Sequence, residues 1–390
     1  MPSSDAARRI DALIGVGLRL ARTAPSGRIV LARLGRTLAP EWIRDPELAA
    51  ELAAAAEPPD PVGRREVERA LRGAWGTKPT EELDELELEP VAVTVTAQVH
   101  RGIVDGDPVA VKLLRPGIAA AVRQDLVLLD GLLAPLSAAF PALDAQAFVR
   151  EVRERVQDEL DLEHEAHSLR RFHRALRSHP FLAVPAPVTR LARPEVLVSS
   201  WIEGVPIAQA PDPDAAAARL LAFVIGSAHF GVMHADPDLD DVLVQPDGRV
   251  AILDFGATRT VIPERVRSAK AALDAFADDD AEALGRHLAE LGALAPDEGP
   301  AALALARETL GELAGPGPAR LDARSVLAAD HRLRARRDEL LRLALDASLA
   351  PEDLWPARGV AQLFAVIARV GANGDWIELA RAALRDGWGR

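Results

Sequence analysis

The sequence predicts an α+β protein of two lobes preceded by a helical extension. Three observations carry this. Apolar residues fall at helical spacing through most of the first 85 positions. β-Branched residues then alternate with small or polar ones between Leu88 and Leu114. Helical patterning returns after Gly204 and is broken by one tight hairpin. The expected organisation is a helical N-terminal extension over 1–85, an N-lobe of antiparallel sheet plus long helices over 86–200, and a helical C-lobe over 201–390. At 390 residues the chain is long enough for two or three packed lobes.

The elements follow in order. Ile10, Leu13, Ile14, Leu18 and Leu20 mark a first helix over Ile10–Ala24, followed by Arg28–Leu38 and Asp45–Ala56. Pro58, Pro59 and Pro61 break the chain before a short helix, Arg64–Ala74. Val91, Val93, Val95 and Val99 read as strand, Asp105-Gly106-Asp107 as a hairpin turn, and Val109–Leu114 as its second arm. Long helices are expected over Ile118–Phe140 and Ala145–Leu176, and strands over Val184–Leu191 and Val196–Trp201. In the helical lobe, Val242–Val244 and Val250–Leu253 form strands joined by Pro246-Asp247-Gly248.

Composition narrows the function. A net charge of −13 opposes a nucleic-acid partner, because neutralising phosphates takes a basic surface. It equally opposes broad attraction to anionic lipid. With no cysteine there is no disulfide, iron–sulfur cluster or thiolate metal site, which suits a reducing cytoplasm. Met1–Ile10 is polar and charged, so no signal peptide is expected, and no stretch reaches the ~18 apolar residues of a membrane span. Gly359–Ala372 comes nearest, is interrupted by Arg369, and reads as a core helix. Of 46 basic residues only Lys78, Lys112 and Lys270 are lysine, in a chain otherwise drifting to arginine.

The hairpin in the helical lobe carries the chemistry. His234-Ala235-Asp236-Pro237 precedes it and Leu253-Asp254-Phe255-Gly256 follows it, so two carboxylates stand at its two mouths. Phosphoryl transfer needs one carboxylate to orient or deprotonate the nucleophile and another to hold magnesium against the phosphates. It also needs a cation on the phosphates from the opposite lobe. Lys112, in the strand Val109-Ala110-Val111-Lys112, supplies it, with Glu165 as its natural helix partner. This combination predicts a two-lobed, protein-kinase-like fold. Other chemistries find less support. His164-Glu165-Ala166-His167 is one residue short of a zinc-binding His-Glu-x-x-His, and no Gly-x-Ser-x-Gly elbow occurs.

The chain resembles the UbiB/AarF (ADCK-type) family of atypical kinases. The matching pieces are Ala97-Gln98-Val99-His100, Val109-Ala110-Val111-Lys112 with Arg115-Pro116-Gly117, Glu159-Leu160-Asp161 with Glu165-Ala166, Trp201-Ile202-Glu203-Gly204, and the two aspartate motifs, all in family order between residues 97 and 256. The resemblance implies that Lys112 binds nucleotide phosphates and pairs with Glu165. Asp236 would be the catalytic-loop aspartate, Asp254 the main magnesium ligand, and Glu159 and Asp161 would face the nucleotide from the long helix. It further implies ATP and Mg2+ as cofactors, ATPase or unorthodox kinase behaviour, and a link to isoprenoid-quinone or other lipid metabolism. The expected location is cytoplasmic, with at most peripheral contact at the inner face of a membrane.

Three departures from the family pattern stand out. Where relatives continue His-Pro-Gly-Asn, this chain reads Asp238-Leu239-Asp240-Asp241, so Asp241 replaces the asparagine expected at the second magnesium. Carboxylate oxygen suits a hard cation, but it adds negative charge beside Asp236 and Asp254. The family's alanine-rich phosphate loop is Val91-Ala92-Val93-Thr94-Val95-Thr96-Ala97 here, read either as a stiffened loop whose Thr94 or Thr96 supplies a hydroxyl or as an ordinary strand. The extension motif Lys-x-Gly-Gln is best matched by Arg33-Leu34-Gly35-Arg36. Two functions follow: an ATP-using atypical kinase or ATPase, or a nucleotide-binding pseudokinase acting as a regulatory or lipid-handling module.

Overall fold

The computed structural model describes residues 45–389 apart from 159 and 346, together with 12, 13, 15–19, 21, 22, 27 and 29. Arg33, Arg36 and Glu159 lie outside the described residues, as does most of the expected helix Arg28–Leu38. Ile10–Ala24 is helical at each of its described positions. Helix α1 (Pro46–Ala56) starts at Asp45, whose carboxylate accepts from the Glu47 and Leu48 amides. Helix α2 (Arg64–Trp75) follows the proline break.

The sheet lobe contains β1 (Glu85–Leu86), β2 (Ala92–Val93), β3 (Ala97–Val104), β4 (Asp107–Leu114) and, later in the chain, β6 (Val196–Ser200). Its order is β1-β3-β4-β6, with β2 also on β3. The β3–β4 turn is made by Asp105 and Gly106 at φ 53° and 83°, the left-handed pair that suits the twist of a two-residue hairpin. Alternation along β4 sends Val109, Val111 and Leu113 into a core with Val67, Leu71 and Trp75 of α2. Lys112, between them, points to the opposite face.

Between β4 and β6 the chain forms α3 (Ile118–Asp125), a 3-10 stretch over Leu126–Leu132, α4 (Ala145–Asp158) and α5 (Leu162–Leu176). Neither expected long helix is continuous. Ile118–Phe140 loosens where Asp130 and Gly131 weaken helix propensity. There the Leu126 carbonyl accepts from the Arg153 guanidinium at 3.3 Å, and Arg153 also pairs with Asp130 at 2.8 Å. Ala145–Leu176 is cut because Asp161 caps a new helix, accepting from the amides of Glu163 (3.0 Å) and His164 (3.3 Å). The expected strand Val184–Leu191 does not form: strand β5 (Leu182–Ala183) ends before it, Pro187 makes only an isolated bridge to Ser199, and Thr189–Leu191 is a 3-10 turn. Pro185 and Pro187 lack the amides a ladder needs.

The second lobe is built on α6 (Pro213–Gly226), whose Leu220, Leu221, Phe223 and Val224 are fully buried. Around it lie α7 (Pro263–Ala277), α8 (Ala281–Glu290), α9 (Gly299–Leu310), α10 (Ala323–Ala335), α11 (Leu354–Val370) and α12 (Trp376–Asp386). The expected core helix is α11, with Leu363, Val366, Ile367 and Ala368 buried. The expected hairpin is β9 (Val242–Val244) with β10 (Val250–Ile252). It is extended on one side by β5, parallel to β10, and on the other by β7 (Val205–Pro206). A further pair, β8 (Val232–His234) with β11 (Thr258–Thr260), was not expected. Among the described residues no helix is long and apolar enough to cross a membrane.

Candidate active site

Lys112 lies in mid-β4, opposite Val99 on β3 and Leu197 on β6. Its ammonium is 2.9 and 2.8 Å from the two oxygens of Glu165 and 2.8 Å from Oδ2 of Asp254. One cation from the sheet thus ties the first turn of α5 to the segment after β10. Glu165 is 2% exposed. Its Oε1 also accepts from the Phe255 amide at 3.4 Å.

Charge is redistributed within this triad. Burial opposes the charged form of Lys112, but the carboxylates of Asp254 and Glu165 overcome it and raise its pKa. Burial also works against ionised Asp254, yet the adjoining ammonium holds its carboxyl well below the usual range. Glu165 is pushed up to about 7, by burial first and by the negative charge of Asp254 second.

The Asp254 segment is held from behind. Phe255 is fully buried, its ring 5.0 Å from Phe172 and 6.2 Å from Phe223. The Gly256 amide donates to Asp254 Oδ1 at 2.8 Å, and His234 Nε2 donates to the Asp254 carbonyl at 2.7 Å. His234 is 2% exposed, and burial lowers its pKa, keeping the ring neutral. The Ala235 amide donates to the Ala257 carbonyl at 2.8 Å, so β8–β11 pairing binds the two aspartate motifs together.

Asp236 follows directly. Its Oδ1 is 2.7 Å from Nη2 of Arg358 on α11. Arg358 is not among the expected residues: it stands 122 positions beyond Asp236, just before the stretch Gly359–Ala372 that reads as a core helix, and no local pattern announces it. Next, Leu239–Asp241 forms a 3-10 turn capped by Asp238, whose carboxylate accepts from the Asp240 amide at 3.2 Å. The Asp241 carbonyl accepts from the Leu253 amide at 2.9 Å, which sets Asp241 beside the base of the Asp254 segment.

The remaining expected residues are placed as follows. Thr94 closes a turn: its amide and hydroxyl donate to the Ala97 carbonyl (2.8 and 3.1 Å), and the hydroxyl accepts from the Ala97 amide at 3.0 Å. Thr96 Oγ1 is 3.3 Å from Thr94 Oγ1. The stretch is therefore a hydroxyl-braced turn rather than a continuous strand. Asp161 is the cap of α5 and so positions Glu165 four residues on. Gln98 and His100 are buried and structural. Gln98 accepts from the Val62 amide at 2.7 Å and bonds His100 Nε2 at 2.7 Å, while His100 Nδ1 donates to the Glu87 carbonyl at 2.9 Å. Arg115 reaches the Asp60 carbonyl at 3.0 Å, and Gly117 at φ 81° starts α3.

Among the described residues, no three His, Asp or Glu side chains converge as a metal cage. A hard cation such as magnesium would take carboxylate oxygens, which Asp254 and Asp241 carry.

Comparison with known proteins shows the family and the fold. Residues 57–288 match the model of the ABC1 atypical kinase-like domain. The Arabidopsis thaliana chloroplastic protein ACTIVITY OF BC1 COMPLEX KINASE 1 is 28% identical over 64% of this chain and 38% of its own length. The probable protein kinase UbiB of Marinobacter nauticus is 30% identical over 53% of this chain and 40% of its own. The chain thus spans well under two thirds of these two relatives. A solved structure, the Rv3197–erythromycin complex from Mycobacterium tuberculosis, is 25% identical with a TM-score of 0.62, covering 92% of this chain and 91% of that one.

Proposed function

The chain belongs to the ABC1 atypical kinase-like family, and from that premise we propose that it binds magnesium and an adenine nucleotide in the cleft at Lys112 and acts on the terminal phosphate. The observation that carries this is the bridge from Lys112 Nζ to both Glu165 and Asp254 at 2.8–2.9 Å. A desolvated ammonium held between two carboxylates is poised to exchange one of them for phosphate oxygens. Magnesium, when bound, would neutralise phosphate charge, with Asp254 and Asp241 as its protein ligands. Glu165 keeps Lys112 oriented. Asp236 would orient the acceptor hydroxyl or water. Thr94 and Thr96 would border the phosphates at the hydroxyl-braced turn, and Asp161 serves by setting α5.

The proposed acceptor is a lipid or quinone-related molecule, in keeping with the name UbiB carried by one relative, and the proposed location is the cytoplasm or the inner face of a membrane. A second reading, a nucleotide-binding pseudokinase in a regulatory or lipid-handling role, is favoured by the extra carboxylates Asp238, Asp240 and Asp241. Thermal-shift titration of ATP and ADP with and without magnesium, beside Lys112→Ala and Asp254→Asn, tests both. Stabilisation by Mg-ATP that is lost in Lys112→Ala is expected, with phosphate release above the Asp236→Asn control. No stabilisation of the unmodified chain would sink both readings. Stabilisation without phosphate release leaves the second. Erythromycin, the partner in the M. tuberculosis complex, belongs in the same screen.

A further inference from the structure

The catalytic-loop sequence His234–Asp241 contains four aspartates and no lysine or arginine. With Asp254 nearby and nucleotide phosphates to come, Asp236 is surrounded by negative charge. The cation that meets it comes from α11. Arg358 Nη2 is 2.7 Å from Asp236 Oδ1, and the two side chains are 23% and 15% exposed. An ion pair this far from solvent sacrifices hydration on both sides, so its value as stabilisation alone is small.

Three features make Arg358 a fixed element rather than a mobile surface arginine. Its guanidinium lies 4.7 Å over the ring of Trp355, one helical turn earlier, and Trp355 is 7% exposed. The start of α11 is anchored where Asp353 pairs with Arg265 of α7. The helix also sits against the loop backbone itself. A side chain at Gly359 would bring Cβ to 2.7 Å from the His234 carbonyl oxygen and 2.9 Å from Ala235 Cα. Only glycine permits that approach, and it carries the Arg358 backbone to within reach of Asp236.

We propose that Arg358 is a positioning residue for phosphoryl transfer: it fixes the rotamer of Asp236 and offsets the negative charge of the loop, so that the carboxylate meets the acceptor hydroxyl or water in one orientation. The proposal rests on the nucleotide reading above and extends it to a residue outside both aspartate motifs. A planar guanidinium suits this task because it binds a carboxylate oxygen and stacks on an indole at once, which an ammonium does less well. Misorientation of a general base or orienting group is a rate effect, felt in kcat before it is felt in nucleotide affinity.

The test is a double-mutant cycle of Arg358→Gln and Asp236→Asn, read as phosphate release from Mg-ATP, with nucleotide affinity measured separately by thermal shift. Arg358→Gln is expected to lower kcat by about 10- to 100-fold with KM for ATP within about threefold, since acid–base groups contribute on the order of 10²–10⁴. Arg358→Lys should recover part of that loss. Adding Arg358→Gln to Asp236→Asn should cost less than about twofold more, because residues acting as a unit are not additive. Should Arg358→Gln fail to fold, Arg358→Lys enters the same cycle. Independent, multiplying losses would overturn the proposal. So would an unchanged kcat, a loss confined to KM, or a rate in the unmodified chain no higher than in Asp236→Asn. Failure of the nucleotide reading appears separately, as absence of any Mg-ATP stabilisation in the unmodified chain.

Discussion

Lys112→Ala removes the ammonium that separates Glu165 from Asp254. Three contacts of 2.8–2.9 Å are lost at once, and among the described residues Glu165, 2% exposed, keeps a 3.4 Å bond from the Phe255 amide against its burial. Breaking a buried ion pair by deleting one partner costs ~3–5 kcal/mol. Asp254, 36% exposed, can rehydrate, so we expect the lower end, about 3 kcal/mol at pH 8. The penalty should depend on pH. In the intact triad Glu165 already stands at about 7, above its ordinary 4.5. Without Lys112 its two lowering influences go, and burial and Asp254, the two largest, raise it against the Phe255 amide alone. Between 4.5 and that raised value the folded chain holds a proton the unfolded chain has lost, so stability falls as pH rises. Lys112→Ala should therefore be less destabilising at pH 5 than at pH 8, and Lys112→Ala with Glu165→Gln should recover most of the difference. Urea denaturation at the two pH values measures this. A penalty below about 1 kcal/mol, or one equal at both pH values, would refute the electrostatic account of the triad.

Four further outcomes follow. Asp254→Asn should abolish the magnesium-dependent part of ATP stabilisation, and its own destabilisation should be full above the unfolded value of 3.8 and shrink progressively as pH falls from there toward the depressed folded pKa of Asp254. A thermal-shift series from pH 3 to 7 reads both. Chelation by EDTA should weaken ATP binding strongly, because Asp241 and Asp254 add charge that metal must offset. Equal ATP affinity by calorimetry with and without chelator would contradict this. Gly359→Ala should destabilise by about 1–3 kcal/mol, since its Cβ meets backbone at 2.7 and 2.9 Å, and should slow phosphate release. Glu151→Gln should loosen α4 from β11, where Glu151 pairs with Arg259 at 2.6 Å. Faster hydrogen exchange at Thr258–Thr260 is the expected sign.

Much was legible in local pattern because local physics produced it. The Asp105–Gly106 turn, the alternation that turns Lys112 away from Val109, Val111 and Leu113, and the β9–β10 hairpin each follow from residues within a few positions of one another. Helix continuity was not legible in the same way. Asp161 sits inside an unbroken helical pattern, and its capping role depends on its carboxylate folding back on the Glu163 and His164 amides rather than on residue type alone. Gln98 and His100 likewise read as part of a functional motif, but are spent on Val62 and Glu87, residues whose proximity only folding creates.

The sequence by itself put Lys112 on a strand, Glu165 on a helix and Asp236 and Asp254 on either side of a hairpin, because those placements need only side-chain chemistry and the period of the element bearing it. The tertiary structure decided how those groups are charged and held. It set Lys112 between two carboxylates, raised Glu165 by burial, and brought Arg358 across 122 positions to Asp236 through the backbone approach that Gly359 permits. Coulombic and desolvation energies depend on distances between chain segments, and those distances are fixed by packing rather than by sequence spacing.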